Sequence, residues 1–416
     1  MTTARQFDIA IVGGGMAGSS LALLLAKKTP SLSIALIDTL PLDGFIDQAK
    51  PAVLPSYDDR SSALSLGSCL IFQTLNLWNE LLPYLEPIKQ VHVSDRGHPA
   101  GTLLDSQEID SINGELGYVI ENRHLGSVLL KTLYRQPAVT LFSSVTVLSV
   151  KPKSDSVDLE ISHSTSPINA NLLVIADGAE SSLREQLGIS VDRIPYNQSA
   201  VIANVTTSAF HQSIAYERFT DTGPMALLPL QDFNGEHRCA LVWTVTKDFA
   251  TQVASMSDTD FLQNIQQRFG SRLGFFTRVG KRSIYPLVLH KAREQVRSHI
   301  VLMGNAAHSM HPVAGQGFNL SLRDCVALTD TLQHAVANTE AIGSLPVLQR
   351  YLDRQSWDQD KTINTSHLLT LLFSTAEPTA AFARNTGLLG LNFLPGIKTW
   401  FAKQAMGMGD RGSVKK

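Results

Sequence analysis

Strand and helix periods alternate from the start of the chain. Residues 7–12 are an apolar run rich in β-branched side chains, glycines fill 13–15, residues 19–28 centre on LALLLA, and a second apolar run occupies 33–37. A strand, glycine turn, helix and second strand within about 30 residues predict a βαβ unit. Residues 44–59 are rich in turn formers and predict a loop; a helix is expected around 63–77. Strands are expected at 139–150 and 157–162, and the wholly apolar 172–176 reads as a strand buried on both faces. Between about 190 and 290 the period becomes two, with Ala200, Ile202 and Asn204 alternating against Val201, Ala203 and Val205. That region predicts an antiparallel sheet, with turns at 222–224 and 233–235. A buried strand returns at 300–303, then the glycine-rich GNAAHSMHPVAGQGFNL, then a helix from about Gln316 that places Phe318, Leu322, Cys325 and Val326 on one face. From 345 the pattern is helical. The expected architecture is therefore α/β, with a discontinuous Rossmann-like domain (1–190 and 291–345), an inserted, mainly antiparallel sheet domain (191–290) and a helical C-terminal region (346–416).

Composition narrows this picture. A chain of 416 residues is long enough for two cores. Lys+Arg 35 against Asp+Glu 37, with no basic block beyond Lys415–Lys416, leaves no electrostatic footprint for nucleic acid. Cys69, Cys239 and Cys325 are far apart and fit no metal or disulfide pattern, so they read as small buried hydrophobes in a reducing, cytoplasmic setting. The N-terminal apolar run ends in glycines, without the cleavage site of an export signal. No apolar segment approaches the roughly 20 residues of a membrane span. Yet mean hydropathy is +0.02 with 17% charged residues, which leaves room for a role at a membrane surface.

Three motifs carry candidate chemistry. In GGGMAG, Gly13 permits a tight turn, Gly15 lets backbone approach a pyrophosphate and Gly18 lets helix and strand pack closely. Asp38, at the end of the next strand, suits a ribose hydroxyl. This constellation predicts a bound dinucleotide without separating FAD from NAD. In ADGAESSLR, the pair Asp177-Gly178 ends the buried strand. In the third motif, His308 and His311 stand at i, i+3, but Pro312 disfavours a helix there and no third ligand is near, so no metal is expected. Ala306, Ala307, Gly315 and Gly317, with Pro312 stiffening the bend, instead describe backbone lying flat against a ligand. The helix starting at Gln316 aims its N-terminal dipole at negative charge, and Asn305 and Asn319 offer hydrogen bonds.

Together, GGGMAG, ADGAESSLR and GNAAHSMHPVAGQGFNLSLRD resemble the FAD-dependent aromatic hydroxylases, single-component flavoprotein monooxygenases, over most of the chain. DDRSSAL at 58–64, GPMALLPL at 223–230 and the tail RNTGLLGLNFLPGIKTWFAKQAMG narrow the resemblance to the ubiquinone-biosynthesis hydroxylases, in particular those acting on 2-polyprenyl-6-methoxyphenol. The resemblance implies a para-hydroxybenzoate-hydroxylase-like fold, FAD as cofactor, NAD(P)H as electron donor, O2 as co-substrate and a polyprenylated phenol bound by the inserted sheet. It implies that the first motif holds the ADP half of FAD and that Asp177-Gly178 supports the pyrophosphate. Gly304-Asn305 would meet the ribityl chain, and Arg60 and Arg123 would lie near the cofactor. Asn305 departs from the Asp of the broader family's pattern and removes a charge. Other ubiquinone-pathway proteins are expected partners, and a homo-oligomer is compatible.

Some alternatives stay open. The base for the phenol is not assigned, although His308 and His311 are candidates by residue type. A same-fold reductase or a low-turnover scaffold subunit would carry the same cofactor motifs, whereas a halogenase is disfavoured by four isolated tryptophans. The apolar segments 367–373 and 388–397, with Trp400, Phe401, Lys398 and Lys403 beyond them, suggest peripheral attachment to the inner face of a membrane.

Overall fold

Strand β1 (Arg5–Val12), helix α1 (Met16–Lys28) and strand β2 (Ile34–Ile37) open the chain as the expected βαβ unit. The computed structural model describes residues 4–42, 60–96, 101–108, 114–311 and 315–374. β1 lies at the centre of an eight-stranded sheet. It is flanked in parallel by β2 on one side and by Ile168–Ile175 on the other, with Val139–Phe142 and Ile300–Leu302 parallel beyond them. Every residue from Gly18 to Ala26 is buried, because α1 is covered on both sides. Its leucines meet Ile9 and Ile11 of the sheet and Leu322 and Leu328 of the long helix Gln316–Ala337.

A nine-stranded, mainly antiparallel sheet forms the second body, built around Val191–Thr207, Gly223–Phe233 and Glu236–Thr246. The alternation read in the sequence is its two faces. Val201, Ala203 and Val205 join Tyr216, Leu227, Leu241 and Trp243 beneath two helices, Lys247–Ser255 and Asp258–Phe269. On the opposite face Ala215, Leu230 and Ala240 meet Leu66 and Val119 of the first body. At the hairpin tip, Asn234 and Gly235 both take positive φ, at 52° and 77°, as a tight two-residue connection requires.

Three features depart from the sequence reading. The hairpin of Gln90–Asp95 and Gly101–Asp105 falls within the 1–190 segment, yet it extends the antiparallel sheet through parallel pairing of Ile214 with Gln90. The otherwise open edge of Ile214–Thr220 provides the unpaired backbone groups that bind it. Residues 61–65, expected to begin a helix, pair as the strand Ser61–Ser65 with Gly117–Glu121, and the helix starts at Leu66 with Ser65 Oγ accepting from Ser68 N–H at 3.3 Å. Strand pairing overrode the local helical pattern. Finally, residues 247–255 and 258–269 are helices within the region read as mainly sheet.

Helix Leu345–Ser374 packs Val347, Leu348 and Tyr351 into the first core. Further along, His367 Nδ1 lies 2.9 Å from Tyr196 Oη of the second body, so one helix spans both. Residues 375–416, including the apolar 388–397, lie outside the described residues.

Candidate functional site

Four of the five parallel strands of the first sheet end in turns that carry most of the candidate residues. Gly13 leaves β1 at φ +107°, where a Cβ would stand 2.3 Å from the Ala176 carbonyl oxygen. At Gly18 a Cβ would lie 1.9 Å from the Gly13 carbonyl oxygen. Gly15 caps α1 in extended backbone with no side-chain cap, which leaves the helix's first N–H groups to an anion. Asp38 accepts from Gly14 N–H at 2.6 Å and from Leu40 N–H at 2.8 Å. The carboxylate that the sequence aimed at a ribose thus also ties the glycine loop, and its remaining lone pairs still accept.

Asp177 and Gly178 follow Ile175, directly beside Gly13, and Gly178 takes φ +104°. Asp177 Oδ1 is buried with no hydrogen-bond partner among the described residues. Burial pushes this carboxyl up, and a hydrogen bond from Ser181 pulls the other way. Gly304 and Asn305 leave the neighbouring strand, with Gly304 at φ +58° and a would-be Cβ 3.2 Å from that of Ala17 on α1. The sequence did not single out the link between these turns. Arg184, 1% exposed, donates to Ala306 O at 3.0 Å and Ala179 O at 2.8 Å, and so braces one turn against the other.

Asn305 is the exposed residue of its turn. Asn305→Leu, which can neither donate nor accept, should weaken FAD binding by roughly 1–3 kcal/mol. Asn305→Asp should bind equally or more tightly, and titration of apoprotein with FAD would show equal affinity in all three only if the side chain faces away from the cofactor.

A second group gathers at the start of the helix Gln316–Ala337. Gly315 caps it in the left-handed region, at φ 61° and ψ 27°, with a would-be Cβ 3.2 Å from Ala63 Cβ on the strand Ser61–Ser65. Gln316 is half-buried in the first turn, and Gly317 has ordinary space around it. Asn319 has a different part from the ligand contact expected of it. Its oxygen accepts from Ser65 N–H (2.9 Å) and Ser68 Oγ (2.7 Å), and its amide donates to Ala63 O (2.8 Å) and Gly315 O (2.9 Å). With that capacity filled by the protein, Asn319 positions the helix N-terminus. Pro312 lies outside the described residues.

The two arginines meet the joint between the bodies. Arg60 O accepts from Asn122 N–H at 2.8 Å, and the Arg60 guanidinium lies 4.8 Å from the ring centre of Tyr285 on the antiparallel sheet. Arg123 is exposed and donates to Glu121 at 3.3 Å. The buried Glu121, which the sequence reading missed, also accepts from Arg238 at 3.3 Å and Asn204 at 3.1 Å across the joint.

Neither histidine is placed as a free base. His308 Nε2 lies 2.6 Å from Asp324 Oδ2, both side chains are 1% exposed or less, and Gln359 donates to the other Asp324 oxygen at 2.9 Å. His311 is buried edge-on to Tyr196, and burial lowers it to about 4. The three cysteines are buried thiols.

Comparison with known proteins agrees with this geometry. The FAD binding domain family matches residues 6–351. Ubiquinone hydroxylase UbiL of Rhodospirillum rubrum is 32% identical over 400 residues, which cover 96% of this chain and 89% of that protein. The 3-demethoxyubiquinol 3-hydroxylase of Escherichia coli is 32% identical over 407 residues, covering 98% of this chain and 100% of that one. The p-nitrophenol 4-monooxygenase PnpA from Pseudomonas putida shares the fold, with a TM-score of 0.78 at 18% identity over 98% of this chain and 100% of that one. Matched by that family over most of its length and by curated relatives nearly end to end, the chain belongs to the FAD binding domain family, as a flavin-dependent monooxygenase of the ubiquinone-biosynthesis hydroxylases.

Proposed function

We propose that this enzyme hydroxylates 2-polyprenyl-6-methoxyphenol at the carbon para to its hydroxyl, using O2 and electrons from NAD(P)H. The observation that supports the reading is the arrangement of the two bodies: glycine turns where a cofactor's backbone contacts are expected on one, and on the other a half-buried sheet face that packs against the first through Ala215, Leu230 and Ala240. The ring position is the finer part of the proposal, because one relative is named for hydroxylation at position 3.

The residues present fit FAD. Gly13 and Gly18 leave backbone where a side chain would collide, and the buried Asp177 Oδ1 awaits a donor such as a sugar or ribityl hydroxyl. Asn305 is exposed to reach the same chain, and the Gly315–Gln316 helix start offers N–H groups to negative charge. When bound and reduced, FAD supplies the two electrons that activate O2 and deliver one of its atoms as an electrophile. The chain's own residues bind and orient the ring, exclude water through the apolar sheet face, and manage the phenol proton.

Incubating holoenzyme and NAD(P)H with the phenol under 18O2 tests this. One labelled oxygen is expected, at the para carbon. Label arriving from water, or turnover only of a substrate hydroxylated at another position, would refute the proposal as stated.

A prenylated substrate resides in a membrane, and among the described residues no helix is long and apolar enough to cross one. Peripheral attachment through the C-terminal region is the arrangement we favour. Leu368 and Leu371 are 65% and 50% exposed near the end of the last helix, and Trp400, Phe401, Lys398 and Lys403 follow in sequence. A chain ending after Thr386 should lose liposome binding and long-chain turnover while keeping FAD; loss of FAD itself would instead make the tail part of the folded core.

A further inference from the structure

Glu217 lies on the sheet face that looks toward the flavin body. Strand registers set Val93, Glu217, Ala226, Val242, Ile202 and Ser283 in one row across the sheet. All six are half-buried, whereas the other face of the same strands is sealed under helices. Ala215, two residues earlier and on the same face, is buried against Leu66 and Val119 with Ala63 at the margin. Ala63 in turn meets Gly315, at the helix start assigned above to the flavin. Glu217 therefore lies roughly 7 Å beyond that contact along its strand, on the wall of the space between the bodies.

A carboxyl among Val93, Ala226, Val242 and Ile202 calls for an explanation. Burial raises it to about 7. Arg218, the next residue, points the other way and donates to Arg268 O at 3.0 Å. Among the described residues at the joint, Tyr285 meets Arg60, Arg238 and Arg123 meet Glu121, and Asp95 has an interaction of its own. Of the two histidines of the glycine-rich motif, His308 is held by Asp324, and burial lowers His311 to about 4.

We propose that Glu217 is the catalytic residue that receives the phenol hydroxyl, hydrogen-bonding it on binding and taking its proton as the ring is oxygenated. This role rests on phenol hydroxylation as proposed. The phenol O–H bond breaks as a Glu217 O–H bond forms, and the ring's electron pair makes the new C–O bond to the oxygen atom that the flavin reaction supplies from O2. The product of that step is a ring carbonyl with a tetrahedral C–H carbon. Loss of that hydrogen to water as a proton restores the aromatic ring, and the carbonyl oxygen takes back the proton held by Glu217.

The test compares wild-type holoenzyme with Glu217→Gln, which keeps the shape and removes the base. With 2-geranylphenol as probe and oxidised flavin as reporter, wild-type affinity should rise roughly tenfold from pH 6 to pH 8 as the carboxylate forms, while the variant stays flat. Oxygenation in the variant should fall by roughly 100-fold or more, with FAD content unchanged and KM moving far less than kcat. Stability gives a check independent of activity. An acid raised in the native state favours that state while protonated, and the contribution is lost as pH rises through about 7. Glu217→Gln should therefore melt higher than wild type at pH 8, and the two should converge as pH falls toward 4. A variant that keeps the pH-dependent affinity, or oxygenates within twofold of wild type, would overturn the role of Glu217 while leaving the phenol reading intact. Wild-type enzyme that neither binds nor oxygenates the phenol at any pH would remove both.

Discussion

Gly18→Ala should leave the protein without flavin and cost it roughly 3 kcal/mol or more of stability. The added Cβ would fall 1.9 Å from the Gly13 carbonyl oxygen, and both partners are backbone, so no side chain can swing aside. Relief requires α1 to move off the loop, but α1 is buried on every side from Gly18 to Ala26. The loop cannot yield either, because the Gly13 backbone already stands against Ala176. Gly178→Ala makes the control. It meets nothing within 4 Å in the protein and bears only the strain of φ +104°, so it should lose less stability. The ratio of flavin to protein absorbance, with thermal melting, decides the matter; stoichiometric FAD and an unshifted melt in Gly18→Ala would contradict the contact.

His308→Ala should cost roughly 3–5 kcal/mol. It removes the partner of a carboxylate that is 0% exposed and leaves Asp324 with Gln359 alone. The damage should spread to the site, because His308 opens the short strand that pairs with Lys291 of the antiparallel sheet and lies four residues beyond Gly304. Asp324→Asn should cost far less, since an amide can still accept from Gln359 and donate to a neutral imidazole. Denaturant midpoints at unchanged m-value measure both. Equal losses in the two variants would show that packing, rather than the uncompensated charge, sets the cost.

The sequence by itself determined the βαβ unit, the two-residue period of the inserted sheet, the long helix from Gln316 and the cofactor class. Each of these follows from local spacing: glycines where backbone must come close, a period of 3.6 or 2, and an acid at the end of the second strand. The joint was not legible. Nothing local marks Arg184 as the donor to a carbonyl 122 residues further along the chain, Asp324 as the partner of His308, or Glu121 as the acceptor shared by Arg123, Arg238 and Asn204. Asn319 looked like a ligand contact because an amide after a glycine-rich loop can serve either a cofactor or its own backbone. Only the fold, by bringing Ser65 and Ser68 to it, decided for the backbone. Glu217 reads in sequence as one polar position of an alternating strand, which is ordinarily the solvated face. Its face meets the first body only because the fold packs Leu66 and Val119 against Ala215, Leu230 and Ala240 of that face, and contacts between distant segments are encoded by no local period.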